Sequence, residues 1–308
     1  MAALPTRVTR ARLLPGLIWI LCAATALVSA VAAAACAPGR EKAVNSGAPQ
    51  RIVSLIPATT EMLFAMGAGD RVVGVSSYDH FPSRVETLPR VGGLLDPSVE
   101  RLLALKPDLV IVYTTQRDLR QQLERASVPM FLYEHQDVAD ITRTIRTLGS
   151  RIGSAPAAES LAADIERRLD AIKARVDSLP RPKTLLVFGR EQGALRQVEA
   201  SGGYGFLHDI LQIAGGADAL GDIPQQSVQM STEMILARAP DVIIELHYGD
   251  TLAALNVEAE RRVWNALPSL PAVRNNRIYL LGGDEFVVPG PRIVDAARRI
   301  AETLHPEQ

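Results

Sequence analysis

Ser98 to Tyr113 read SVERLLALKPDLVIVY, and Ser231 to Leu246 read STEMILARAPDVIIEL, with seven of the sixteen positions identical. Each copy opens with Ser, any residue, Glu, runs on with helical apolar spacing, turns at Pro-Asp and enters a short apolar strand. A repeat of a whole helix-turn-strand unit so far apart in one chain predicts two related lobes. Glu100 and Glu233 occupy equivalent places in the two copies.

Outward from the first copy, RIVSLIP predicts a strand that stops at Pro57, followed by a helix capped by Thr59 or Thr60 and ended by Gly67. RVVGVSSY predicts the next strand, and residues 79–91, with Pro82 and Pro89, a loop. A helix around 118–126, the strand VPMFLYE and a helix over 138–152 complete this lobe. Strands alternating with helices imply a parallel sheet covered on both faces. Residues 157–179 form one helical pattern without Gly or Pro, roughly 30–35 Å long at about 1.5 Å per residue. It reads either as a surface helix of one continuous domain or, as the flanking repeat favours, as a strut between lobes. Beyond Pro180 and Pro182 come the strand TLLVFG, a glycine-rich segment, the helix FLHDILQIAG, the second copy, the strand RIYLL and a helix from Pro291 to about Leu304. The expected architecture is α/β: two Rossmann-like lobes with parallel sheets, 51–154 and 181–308, joined by a helix over 155–180, with a ligand cleft between them.

The chain has 308 residues, 47% apolar and 22% charged, with a formal net charge of −1. That describes a globular body and gives no basic stripe of the kind nucleic acid needs. Residues 1–36 differ in kind: Arg7, Arg10 and Arg12 precede an apolar run from Leu13 to Ala35 that ends at Cys36. This is an export signal, with a retained membrane anchor as the competing reading because the run is long enough to span a bilayer. Cys22 and Cys36 are the only cysteines, so the chain beyond the signal has no disulfide and no cysteine metal cluster. Residues 37–50, small and polar, read as a flexible tether.

A ligand is expected outside the carboxyl ends of the parallel strands, where loops of both lobes converge. Five aromatics fall there: Tyr78, Tyr113, Tyr204, Phe206 and Phe286. A single strand-end Tyr is as often packing with a wet hydroxyl as contact with ligand; five together are harder to explain so. Pro57, Ala58, Thr59 and Thr60 form a strand-to-helix turn that either meets a polar substituent or only caps the helix. Asp284, Glu285 and Arg292 offer partners for peripheral amides or carboxylates, and Arg292 has the alternative of pairing with one of those acids. His80, His135, His208 and His247 are scattered, without the close pairing of a metal site; an axial Tyr78, His80 or Tyr204 is what haem would require. There is no GxSxG, no phosphate-binding glycine loop and no HExxH, and SGGYG at Ser201 to Gly205 has the wrong spacing, so no catalysis is expected.

RIVSLIPATTEMLFAMGAGDRVVGVSSYDHFP, LLALKPDLVIVY, the long helix, ILARAPDVIIEL and PGPRIVDAARRI, in one order, resemble the substrate-binding proteins of ABC importers. The likeness spans nearly all of 51–305 and is to the class with a single helical connection, which serves vitamin B12, ferric siderophores and haem. SSYDHFP is most similar to the cobalamin-binding members. The resemblance implies a corrinoid ligand packed on Tyr78 and Tyr113, with siderophore or haem as the alternative. It also implies a monomer outside the inner membrane whose Glu100 and Glu233 meet arginines of the permease subunits. Tyr113 stands where a Trp is common, and this chain lacks the Trp those relatives carry near Leu94 and Leu95. Ala33 to Cys36 resemble a bacterial lipoprotein processing site, which implies a lipid anchor on Cys36. No resident cofactor or metal is implied.

Overall fold

The computed structural model describes residues 47–134, 137–249 and 251–306. The signal segment, Cys36, residues 37–46 of the tether and His135 lie outside them. In the first lobe, β1 (Ile52–Ser54), β2 (Val72–Val75), β3 (Leu109–Tyr113) and β4 (Met130–Tyr133) form a parallel sheet in the order β2-β1-β3-β4. β1 is wholly buried, as is β3 up to Val112, which is why these strands read as apolar runs without alternation. α1 (Pro57–Ala65), α2 (Val99–Ala104), α3 (Arg117–Arg125) and α4 (Val138–Arg151) cover the sheet. The loop expected over 79–91 contains one 3-10 turn, Ser83–Thr87.

α1 begins earlier than the sequence suggests. Pro57 is its first residue and Ile56 its extended N-cap, without a side-chain cap, since proline has the helical φ and no N–H to satisfy. The Thr59 and Thr60 hydroxyls instead donate back to the Ile56 carbonyl at 3.0 and 3.2 Å. Gly67, at φ +75°, follows the helix as expected.

α5 (Ala155–Val176) is the long helix, 22 residues. Ala158, Ala162, Ile165, Leu169, Ile172 and Val176 make its buried stripe, at the alternating three- and four-residue spacing of one helix face. It packs on α4 of the first lobe and on α6 (Phe206–Ile213) and α8 (Ile293–Leu304) of the second. One continuous core therefore runs from β1 through α5 to α8, and a second surrounds Trp264, with Leu185, Val187, Ile243 and Ile278.

The second sheet is mixed. β5 (Lys183–Gly189), β9 (Val242–His247) and β10 (Ile278–Gly282) are parallel, as is the short β7 (Ala217–Asp218) on β5. β6 (Val198–Ser201) runs antiparallel to both β5 and β8 (Ser227–Met230), giving the order β10-β9-β5-β6-β8. This corrects the all-parallel expectation. No helix intervenes between β5 and β6, and a short connection returns a strand antiparallel.

The repeat is reproduced in detail. Ser98 caps α2 by accepting from the Arg101 amide, and Ser231 caps α7 (Thr232–Arg238) by accepting from the Met234 amide. Lys106 and Ala239, equivalent positions after the two helices, both adopt left-handed φ, 48° and 44°. That conformation is costly for any residue with a Cβ. Lys106→Gly and Ala239→Gly are each expected to raise the unfolding free energy by about 0.5–1 kcal/mol in urea denaturation. The two sit in different lobes, so the gains should add; a loss at either would show that its side chain packs favourably.

Candidate ligand cleft

Three adjoining cavities open where the parallel strands of the two sheets end. The first, about 390 Å³, takes Leu55, Pro57 and Ala58 from the end of β1, Tyr78 from beyond β2 and Tyr113 from the end of β3. Leu94 and Leu95 form its rim; across from them the second lobe supplies Tyr248, just past β9, and Val287 to Pro289. The second cavity, about 290 Å³, lies at the ends of β5 and β9, against Arg190, Glu245 and His247. The third, about 270 Å³, is walled by Tyr204, Phe206, Gln226 and Ser227. Tyr248 borders the first and second, Val287 the first and third, and Phe188 the second and third, so the three adjoin pairwise.

Tyr78 is 55% exposed. The Tyr113 ring meets Tyr133 edge-on at 5.6 Å, which fixes it at the cleft floor. Burial, and behind it the nearby Asp79, raises the Tyr113 phenol above its ordinary value, so it meets a ligand as a neutral hydroxyl. The Tyr248 hydroxyl donates to the Tyr78 carbonyl at 3.3 Å and ties the two walls together. Beneath them Asp79 is fully buried, and the Ser76 amide donates to its Oδ2 at 2.9 Å. Burial pushes this carboxyl above the usual range, against the Ser76 and Thr60 hydrogen bonds that favour its anion.

Of the residues singled out in the sequence, Pro57, Ala58, Tyr78 and Tyr113 line the first cavity and Tyr204 and Phe206 the third. The others are used differently. Thr59 is buried, its hydroxyl 2.8 Å from that of Ser54. Phe286 backs the third cavity with no exposed surface, under the Arg299 guanidinium, because the turn Asp284–Phe286 points it into the core. Asp284 accepts from the Gly249 amide at 2.9 Å. Arg292 is paired: its Nε and Nη2 donate to the two Glu61 oxygens at 3.0 and 2.5 Å, and its guanidinium lies 4.2 Å from the centre of the Phe81 ring. Its side chain is thus held by the protein acids Glu61 and Glu285.

His80 Nδ1 sits 3.0 Å from Glu86, and His208 Nδ1 2.8 Å from Asp218. Among the described residues no group of three His, Cys, Asp or Glu side chains is placed to hold a metal ion. Glu100 and Glu233 are both exposed, each in the first turn of its repeat helix. Tyr248 was missed in the sequence, although the criterion that finds Tyr113 at the end of the first repeat strand finds it two residues past the second copy.

Residues 52–285 match the periplasmic binding protein family. The chain belongs to this family. An uncharacterised ABC transporter substrate-binding lipoprotein of Bacillus subtilis is 28% identical over 84% of the chain and 81% of its own length. A vitamin B12-binding protein of Pectobacterium carotovorum is 28% identical over 83% of the chain and 88% of its own length. Among solved structures, a periplasmic haem-binding protein of Roseiflexus superposes with a TM-score of 0.72 at 26% identity, covering 83% of this chain and 99% of that one. As a periplasmic binding protein, the chain places its cavities where strands of both lobes end. No helix of the described residues is long and apolar enough to cross a membrane.

The buried Asp79 gives a pH test. Its proton is held more tightly in the folded than in the unfolded chain, so its contribution is most favourable below about pH 3.9 and is lost as pH rises through the raised folded value. Asp79→Asn should be at least as stable as the parent in urea at pH 7 and lose that advantage towards pH 4. A variant weaker at pH 7 and equal at pH 4 would show that the fold requires the anion.

Proposed function

We propose that this periplasmic binding protein is the substrate-binding component of an ABC importer, capturing a corrinoid, vitamin B12, outside the inner membrane and delivering it to the permease. The observation that carries the reading is the adjoining set of cavities walled by Tyr78, Tyr113 and Tyr248 on one side and Tyr204 and Phe206 on the other. Flat aromatic and apolar walls suit a large macrocycle, and hydroxyls at their edges suit its polar rim. The vitamin B12-binding relatives, 24–28% identical over most of the chain, support the same ligand. No bond is made or broken in this role.

Haem is the second reading, favoured by the exposed Tyr78 at the first cavity and by the haem-binding structural relative. Calorimetry with cyanocobalamin, haemin and a ferric hydroxamate siderophore separates the candidates. The corrinoid reading predicts submicromolar one-to-one binding of cyanocobalamin alone, weakened about tenfold or more by Tyr78→Ala or Tyr248→Ala. Binding of haemin or the siderophore instead would replace the ligand and keep the importer role; silence for all three would remove both.

A lipid on Cys36, at the end of the tether, would hold the body at the membrane surface. Glu100 and Glu233 then serve as paired docking carboxylates, one from each lobe, whose charge sets register with the permease more than affinity. Reversing both to lysine should impair transport in reconstituted vesicles while leaving ligand affinity unchanged. Loss of ligand affinity would place these residues in ligand binding.

A further inference from the structure

The second cavity differs chemically from the other two. Its wall contains one ion network, with the side chains of Arg190, Glu245 and Glu260 only 5%, 2% and 8% exposed. Every guanidinium N–H of Arg190 is taken by protein. Nε and Nη2 reach Glu245 at 2.7 and 3.1 Å, and Nη2 also reaches Glu260 Oε2 at 2.8 Å. Nη1 donates to the Glu191 and Ala194 carbonyls at 3.1 and 3.5 Å. Glu260 in turn accepts from the Gly193 amide at 3.2 Å, and His247 Nε2 lies 3.4 Å from Glu245 Oε2.

The lining thus sets two carboxylates against one guanidinium that has no donor left for a guest. With His247 neutral beside Glu245, an incoming carboxylate would meet net negative charge in a partly enclosed cavity, where charges interact far more strongly than in water. An uncharged arm carrying N–H donors would meet attraction, with Gln192 and Thr251 as neutral neighbours on the same wall. Specificity of this kind comes as much from rejecting the wrong group as from holding the right one.

We propose that this cavity is a specificity subsite that accepts a primary-amide arm of the transported ligand and rejects a carboxylate of the same shape. The assignment rests on the corrinoid reading for its ligand, whose rim carries such amides, but its discrimination is a property of Arg190, Glu245 and Glu260 themselves.

The test is calorimetry of the purified protein with cyanocobalamin and with its isomers in which one peripheral amide is hydrolysed to the carboxylate. At least one isomer should bind roughly tenfold or more weakly than the parent. Gln192→Lys, a change at an exposed position on the cavity wall, should restore that isomer while leaving cyanocobalamin unimproved. Equal affinity for every isomer, or a lysine effect shared by amide and acid, would overturn the subsite and leave the corrinoid reading standing. Should no corrinoid bind, that reading fails and haemin and its bis-amide carry the same comparison. Preference for the bis-amide supports the subsite; haemin binding as well or better, or neither binding, overturns it.

Discussion

Arg292 grips Glu61 across the base of the cleft, and how the first cavity's two walls face one another depends on that contact. Glu61 belongs to the first helix of one lobe and Arg292 to the chain leading into the last helix of the other; the Glu61 side chain is 4% exposed. Glu285 lies 3.5 Å from the same guanidinium and also pairs with Arg299, so the junction is a chain of alternating charges. Two desolvated charges gain little net stability from each other, but removing one leaves the other buried and unpaired, at a cost of about 3–5 kcal/mol. The pair therefore acts as a register pin. It fixes how the strand ends of the two sheets face one another.

The long helix applies the same constraint over a greater distance. Its apolar stripe belongs to a core continuous from the first sheet to the last helix, so the lobes share packing as well as a tether. A linker made of extended strands could bend at a few backbone angles, whereas this one would have to break helix or expose core. The cleft is accordingly built close to its working shape, with Tyr248 already bonded to the backbone at Tyr78. Its surface is divided by chemistry: tyrosines and aliphatics beside the first lobe, buried charge at the ends of β5 and β9, and aromatics with neutral polar groups in the third cavity.

Much of this was legible in the sequence because it rests on local pattern. The repeat, with its Ser caps and Pro-Asp turns, specified two equivalent helix-strand units, and the uninterrupted apolar spacing of residues 157–179 specified the connecting helix. Pro57, Ala58, Tyr78, Tyr113, Tyr204 and Phe206 were legible as strand-end positions. What was not legible depends on partners distant in sequence. Arg292 and Glu61 are far apart in the chain, and nothing local distinguishes a paired arginine from one facing a ligand. Phe286 turns inward because a single 3-10 turn aims it at the core, and the Thr59 hydrogen bonds to Ser54 and Ile56 depend on where Pro57 starts the helix. β6 (VEAS) and β8 (SVQM) alternate, but over only four residues each amid glycine and polar residues, a run too short to mark a strand.

A bound corrinoid carries cobalt, an atom whose position can be located directly. A crystal structure of the complex with cyanocobalamin, with anomalous data collected at the cobalt edge, locates that atom without assuming a pose. On the corrinoid reading a single peak is expected between the Tyr78–Tyr113 wall and the strand ends of the second lobe, with the Glu61–Arg292 pair intact and the lobes shifted only slightly. A cobalt peak outside the cleft, or one inside it accompanied by a broken pair and a wide rotation of the lobes, would contradict it.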